Sequence, residues 1–528
     1  MHLSICLPTC TKRIRACLKN HSRNLHAPLC GIFCPNSVAV ARYGALIRAK
    51  SPTNCDAHLA ESLFQTRSGE DSGKIQIFRG TNMDYLTAAK GAMNFIDTRK
   101  KKGPEGIYWS LEDAAKGRPI YYDEICMYAG ASGIICFLLG LYDATKENQY
   151  LEEAKEAADY IIWRWKNEPE LKRNFSKYAF SSGWSGAGFA LTRLYLVTKE
   201  EKYKDTVAAI IAQMKKDAKP GKNGQGYSWS TFPGIVGDGG TVLFLLFAAD
   251  VYQDEDWKNF GITAGRNFLG QRQDAGEGKC WYPGVDPAYF GAKPDYIDPN
   301  FPMGTAGVGF VLRKLYEASG DEVYLQAEQG ITGFMDSVAV KMRVGKLLPH
   351  GLPDRKNLFY LGYCHGPAGT VRYYYKLYEG SRDEQEKAKY KEKIRTLVLG
   401  LEATGAPEGR SEGYWNTHNL CCGTAGLLNM YLGLWAAFGE EHDLELAKRC
   451  GKILLDAAEV EKEQEPLLKW RFALDRIAPD VLTTPIGCFD GAAGIGLALL
   501  QLHLAETDQY HVTRFLDDPF PDEKVIKA

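Results

Sequence analysis

Apolar residues in this chain gather into stretches of about a dozen, such as "GAGFALTRLY" and "GIGLALLQLH", each entered through a Gly-x-x-Gly turn. These stretches are too long for typical strands and are rich in Leu and Ala, so they predict buried helices. Charged stretches follow several of them, as in "YDATKENQYLEEAKEAADYIIWRW". There Leu151, Ala154, Ala158, Ile161, Ile162 and Trp165 recur at steps of three and four, one apolar stripe against a charged face. That pattern predicts an amphipathic helix packing from outside.

The glycine turn occurs seven times, at Gly130, Gly183, Gly237, Gly304, Gly366, Gly423 and Gly491, at intervals of 53, 54, 67, 62, 57 and 68 residues. A register runs beyond it. The eleventh and twelfth residues after the first glycine are Leu141-Tyr142, Leu194-Tyr195, Leu315-Tyr316, Leu377-Tyr378, Leu434-Trp435 and Leu502-His503, with Ala248-Ala249 departing in the third repeat. Seven inner and outer helix pairs, each burying a face on its neighbours, predict an all-α fold, an (α/α)7 toroid over residues 76–515. All the turns then fall at one end of the ring, at helix N-termini, and any chemistry belongs there. Gly/Pro-rich insertions such as "KLLPHGLPDRKNLFYLGYCHG" are expected to roof a pocket at that end.

Composition narrows the reading. A net charge of −1 offers no basic field for nucleic acid, and no apolar run approaches the length of a membrane span, so a cytoplasmic protein is expected. Residues 1–75 stand apart: the first 55 carry no Asp or Glu, eight Lys or Arg, and six of the chain's 14 cysteines. They read as a disordered basic extension or an early start codon, and residues 516–528 as a C-terminal tail. The remaining cysteines are too dispersed for a disulfide scaffold.

The shared register aligns the two residues before each first glycine. They are Tyr128-Ala129, Ser181-Ser182, Ile235-Val236, Pro302-Met303, Cys364-His365, Cys421-Cys422 and Phe489-Asp490. Soft ligands are thus confined to the fifth and sixth repeats, adjacent in the ring. Three thiolates, Cys364, Cys421 and Cys422, can converge there on one Zn2+, with a fourth position open as in catalytic sites. His365 either completes a closed four-ligand site or serves as an acid or base. Asp238 and Asp490, at helix N-termini, are expected to complement the helix dipole.

The seven turns together with "GYCHGPAG" and "NLCCGTAG" resemble the lanthionine synthetase C-like family over about residues 120–505. The resemblance implies zinc on Cys364, Cys421 and Cys422, the last being Cys where the family usually has His. It also implies activation of a thiol for Michael addition to dehydroalanine or dehydrobutyrine, forming a thioether. The substrate is then a dehydrated peptide or a small thiol with its acceptor, and a separate dehydratase is the expected partner. The family's His before the fourth glycine falls on Met303, its Asp in the third repeat on Pro233, its Tyr after the fifth-repeat Cys on His365, and its Arg on Tyr360. His365 is therefore the candidate catalytic acid, ahead of His350 and His418. A non-catalytic scaffold, and an (α/α)-barrel glycosidase with Trp184, Trp229, Trp281 and Trp415 as sugar platforms, are the rival readings.

Overall fold

The computed structural model describes residues 83–111, 122–172, 176–284, 295–353, 357–409, 417–461, 466–474, 476 and 478–525. The chain divides into units 1–74 and 75–528; the first, with the basic extension, lies outside the described residues.

Seven inner helices follow the seven glycine turns: α2 (Ala131–Thr145), α4 (Trp184–Thr198), α6 (Asp238–Tyr252), α8 (Thr305–Ser319), α11 (Pro367–Gly380), α13 (Thr424–Phe438) and α15 (Ala492–Glu506). Each packs on the next, and α15 packs back on α2, so the ring closes. The Leu of the repeated register, Leu141, Leu194, Leu315, Leu377, Leu434 and Leu502, is fully buried in every case. Each such side chain contributes about 2 kcal/mol of apolar burial. Burial of this position accounts for Leu in six of the seven repeats, the third having the smaller, also buried Ala248.

Outer helices cover the inner ones: α3 (Asn148–Asn167), α5 (Glu201–Asp217), α7 (Glu255–Gly265), the broken pair α9 (Glu322–Glu328) and α10 (Ile331–Val338), α12 (Glu384–Glu402) and α14 (Glu441–Ala457). In α3 the predicted stripe faces inward, with Ala154, Ala158, Ile161 and Ile162 buried. The seventh outer position is filled from the other end of the chain. Helix α1 (Tyr85–Asp97), which precedes every inner helix in sequence, packs along α15. Short two-stranded hairpins follow several outer helices, the first pairing Lys100–Lys102 with Ile107–Trp109.

The glycine turn has one physical cause in all repeats. In six repeats the amide that opens the helix donates back to a carbonyl of the preceding loop, as Thr424 does to Thr417 (3.2 Å) and Thr305 to Asp298 (2.9 Å); in the fifth, which opens on Pro367, Ala368 donates to Leu361 (3.3 Å) instead. A Cβ on Gly423 would lie 2.3 Å from that Thr417 oxygen, and one on Gly426 would lie 2.3 Å from the Leu420 oxygen. The backbone at Gly423 is extended, so close approach and not left-handed geometry demands glycine.

A belt of backbone hydrogen bonds joins neighbouring turns at the second residue before each glycine. Cys364 N–H donates to the Cys421 carbonyl (3.2 Å), Cys421 to Phe489 (2.9 Å), Phe489 to Tyr128 (2.8 Å), Tyr128 to Ser181 (2.9 Å), and Ile235 to Pro302 (2.9 Å). Pro302 has no N–H with which to continue to Cys364, and no such bond links Ser181 to Ile235 among the described residues. The longest unbroken arc therefore carries the two cysteine-bearing turns.

Candidate metal centre

Belt and glycines together place the thiols. Gly362, two residues before Cys364, lies against the Cys422 backbone so closely that a Cβ would sit 2.6 Å from the Cys422 Cα. Asn419 accepts the Cys422 N–H at 2.8 Å and fixes the sixth turn. As a result the Sγ atoms of Cys364 and Cys422 are 3.2 Å apart and those of Cys422 and Cys421 3.5 Å apart. All three lie within 4.8 Å of one another, and Cys364 and Cys421 are buried. The described cysteines are free thiols, so the adjacent pair Cys421-Cys422 is not a disulfide.

The donor set suits a metal. Three sulfurs at about 2.3 Å from a tetrahedral ion would be about 3.8 Å apart, close to the separations present. Hydrogen bonds from Cys364 and then Cys422 hold the Cys421 thiol well below its ordinary pKa, and the Tyr128 hydroxyl and His365 act in the same direction. Bonding to Cys421 and Cys422, with burial, pushes the Cys364 thiol up. For Cys422 the bond with Cys364 pulls down, but the bond to Cys421 and burial prevail and raise it.

The His365 ring lies against a carboxylate. Its Nδ1 lies 2.8 Å from Asp298 Oδ2, with the histidine side chain 12% and the aspartate side chain 1% exposed. His350 stacks on the His365 ring at 4.1 Å, and Tyr360 stands edge-on to His350 at 4.5 Å. The Tyr360 hydroxyl accepts from Arg476 Nε at 3.2 Å. The insertion loops carry this group as expected: Ile297 and Leu352 exchange backbone bonds of 3.0 and 2.7 Å, and the Tyr296 hydroxyl donates to the His350 carbonyl. Among the described residues only the three cysteines cluster as metal ligands, and His365 is not part of that cluster.

Other sequence candidates fall elsewhere. His418 stands edge-on to Phe472, and its carbonyl accepts the Ala425 amide. Met303 is half-buried, and Pro233 borders a cavity of about 260 Å3 lined by Ser228, Ser230, Asn267 and Gln271, which none of the cysteines or histidines borders. Asp238 lies in the first turn of α6, as expected of an acid at a helix N-terminus, and accepts from Trp229 N–H (3.2 Å) and Ser230 Oγ (2.8 Å) of its own loop. Burial, with the Cys421 charge adding, pushes the Asp490 carboxyl up to about 7. The indole of Trp184 is buried and donates to the Pro169 carbonyl, and that of Trp229 donates to the Met214 carbonyl, so neither forms an open sugar platform; Trp415 lies outside the described residues.

Sequence reasoning missed Asp298. A signal was present: Asp298 stands six residues before Gly304, as Tyr360 stands six before Gly366, so extending the register backward brings both to the same rim.

Fold and site together define an α/α toroid with a thiol triad at the rim where its glycine turns meet. A family profile described as "Lanthionine synthetase C-like protein" matches residues 301–516. A second profile, for a family of unknown function, matches residues 18–77. Among solved structures the chain is similar to nisin cyclase, at 14% identity and a TM-score of 0.53, covering 73% of this chain and 90% of that one. Looser matches include a sugar epimerase from a ruminal bacterium (13% identity, TM-score 0.42, covering 80% of this chain and 98% of that one). Another is an α-1,6-mannanase from Salegentibacter (16% identity, TM-score 0.36, covering 60% of this chain and 87% of that one). Compared by sequence with curated proteins, the chain matches none.

Proposed function

We propose that Cys364, Cys421 and Cys422 hold zinc and that the protein joins a thiol to a dehydroalanine or dehydrobutyrine, forming a thioether. The observation that carries this reading is the convergence of three sulfurs within 4.8 Å from two neighbouring turns. Cys364, Cys421 and Cys422 would hold the ion, and zinc so held would supply a lowered thiol pKa, so that a substrate thiol would be available as thiolate at neutral pH. The acceptor's C=C π pair moves to the α-carbon as the S–C bond forms at the β-carbon, and a proton must arrive to make the C–H bond. His365 supplies it: the Asp298 carboxylate, 2.8 Å from Nδ1, is placed to favour the protonated ring, and Nε2 would hold the transferable proton. The proton lost by the thiol passes to solvent, and His365 is reprotonated from there.

The family resemblance favours a dehydrated peptide or a small thiol and its acceptor as substrates, with a separate dehydratase making the alkene. Free, buried thiols of this kind suit a reducing cytoplasm, and no described helix is long and apolar enough to cross a membrane. The replacement of the family's His and Asp by Met303 and Pro233 favours a second reading, a zinc-holding scaffold without activity. Zinc-loaded protein mixed with a dehydroalanine peptide and a thiol separates the two. Faster thioether formation than by Cys421→Ala supports the enzyme, and equal rates refute it.

A further inference from the structure

The bore of the ring is filled by the end of the chain. Beyond α15, Val512 N–H donates to the Asp522 carbonyl at 3.0 Å and His511 bridges Glu523, so that residues 511–523 form a loop closed at its base. The base sits against the C-terminal parts of inner helices: Tyr510 stands edge-on to Trp435, Val525 N–H donates to the Ala436 carbonyl, and Phe520 packs on Tyr375 at 4.9 Å. The tip reaches the other end. Phe515 contacts Phe189 of α4 at 6.2 Å and Phe489 of the seventh turn at 5.5 Å.

At this tip two carboxylates meet the fifth repeat. Asp517, 1% exposed, accepts a hydrogen bond from the Tyr363 hydroxyl. Asp518 Oδ2 lies 3.4 Å from Arg372 Nη1 and 3.4 Å from Arg514 Nη1. The Arg372 guanidinium sits 5.1 Å over the Tyr363 ring, donates to Asn429 at 2.7 Å, and Asn429 donates to Gln501 at 3.0 Å. Helices α11, α13 and α15 are thus cross-linked by side chains directly under the residue that precedes Cys364.

We infer that Asp517 is a positioning residue for the fifth-turn ligand: by holding the Tyr363 hydroxyl from below, it fixes the backbone from which Cys364 projects into the thiol triad. The inference rests on the zinc reading above. The chain adopts it because Tyr363 and Cys364 are consecutive, so rotation of one peptide moves both, and a buried charge-assisted hydrogen bond on one side sets the direction of the other. The C-terminal loop then acts on the rim without touching substrate.

The test uses the full chain, wild type and the variants Asp517→Ala, Asp517→Asn and Tyr363→Phe, with zinc affinity measured by chelator competition and cobalt(II) substitution followed by its sulfur charge-transfer absorption. Asp517→Ala and Tyr363→Phe are expected to weaken zinc about tenfold and to alter the cobalt spectrum. Asp517→Asn keeps an acceptor oxygen for Tyr363 and is expected to stay within about twofold of wild type. Should Asp517→Ala fail to fold, Tyr363→Phe, which removes one hydroxyl, carries the test. Folded Asp517→Ala or Tyr363→Phe protein with wild-type zinc affinity and an unchanged cobalt spectrum overturns the inference. Wild-type protein that takes up no zinc overturns instead the metal reading beneath it.

Discussion

Replacing Asp238 by Asn separates a stability effect from a catalytic one at the acid nearest to the position where the family has its third-repeat Asp. Asp238 opens α6, is 2% exposed, and spends its carboxylate on Trp229 N–H and Ser230. Burial nonetheless pushes its carboxyl from 3.8 up to about 6. A difference of about 2 units, at about 1.4 kcal/mol each, corresponds to about 3 kcal/mol. Below pH 3.8 both folded and unfolded chains hold the proton and the group costs nothing. Between there and about pH 6 the unfolded chain ionises while the folded one does not, so stability falls; above about pH 6 the full cost is present. Asp238→Asn has no such slope. Urea unfolding of both proteins at pH 4 and pH 7.5 should show wild type losing roughly 2–3 kcal/mol relative to the variant over this range. Thioether formation per bound zinc should be unchanged, because the carboxylate faces its own loop. A stability gap that does not move with pH refutes the reasoning.

The remaining expectations concern the rim. Gly426→Ala would set a methyl 2.3 Å from the Leu420 carbonyl, so it should destabilise by about 2–3 kcal/mol and lower zinc stoichiometry, read by thermal melting and metal analysis. Removing zinc with a chelator should lower the melting temperature and re-addition should restore it, since a ligand at a thousand times its dissociation constant stabilises by about 4 kcal/mol; Cys421→Ala should show no such response. Asp298→Asn should leave zinc content unchanged while slowing thioether formation roughly 10- to 100-fold, because His365 loses the carboxylate at its Nδ1.

What the sequence made legible was whatever repeats. The seven turns, the buried Leu after six of them, and the soft ligands of two neighbouring repeats all recur at fixed offsets, and the ring and triad follow from them. Features that occur once were not legible. Helix α1 covers α15 although most of the chain lies between them, and no local pattern announces so distant a pairing. Residues 516–525 read as a tail because a short mixed segment gives no periodicity, yet Asp517 and Phe520 are buried in the bore. Asp298 is not legible because it lies six residues before Gly304, beyond the two positions at which the repeats carry their soft ligands. The belt of backbone bonds is invisible for another reason: any residue but proline can donate in it, so only Pro302 leaves a mark.

The covering of α15 by α1 bears on how the protein is made. Helix α1 leaves the ribosome before every inner helix, with an apolar face that includes Ala88, Ala92, Phe95 and Ile96, and its partner is the last of the described helices. At about 5–20 residues per second that partner follows roughly 20–80 seconds later. Throughout synthesis the nascent toroid is an open crescent with one exposed helix at its leading end. Chaperone protection during translation, and sensitivity to a stalled or truncated message, follow from the order in which the two ends appear.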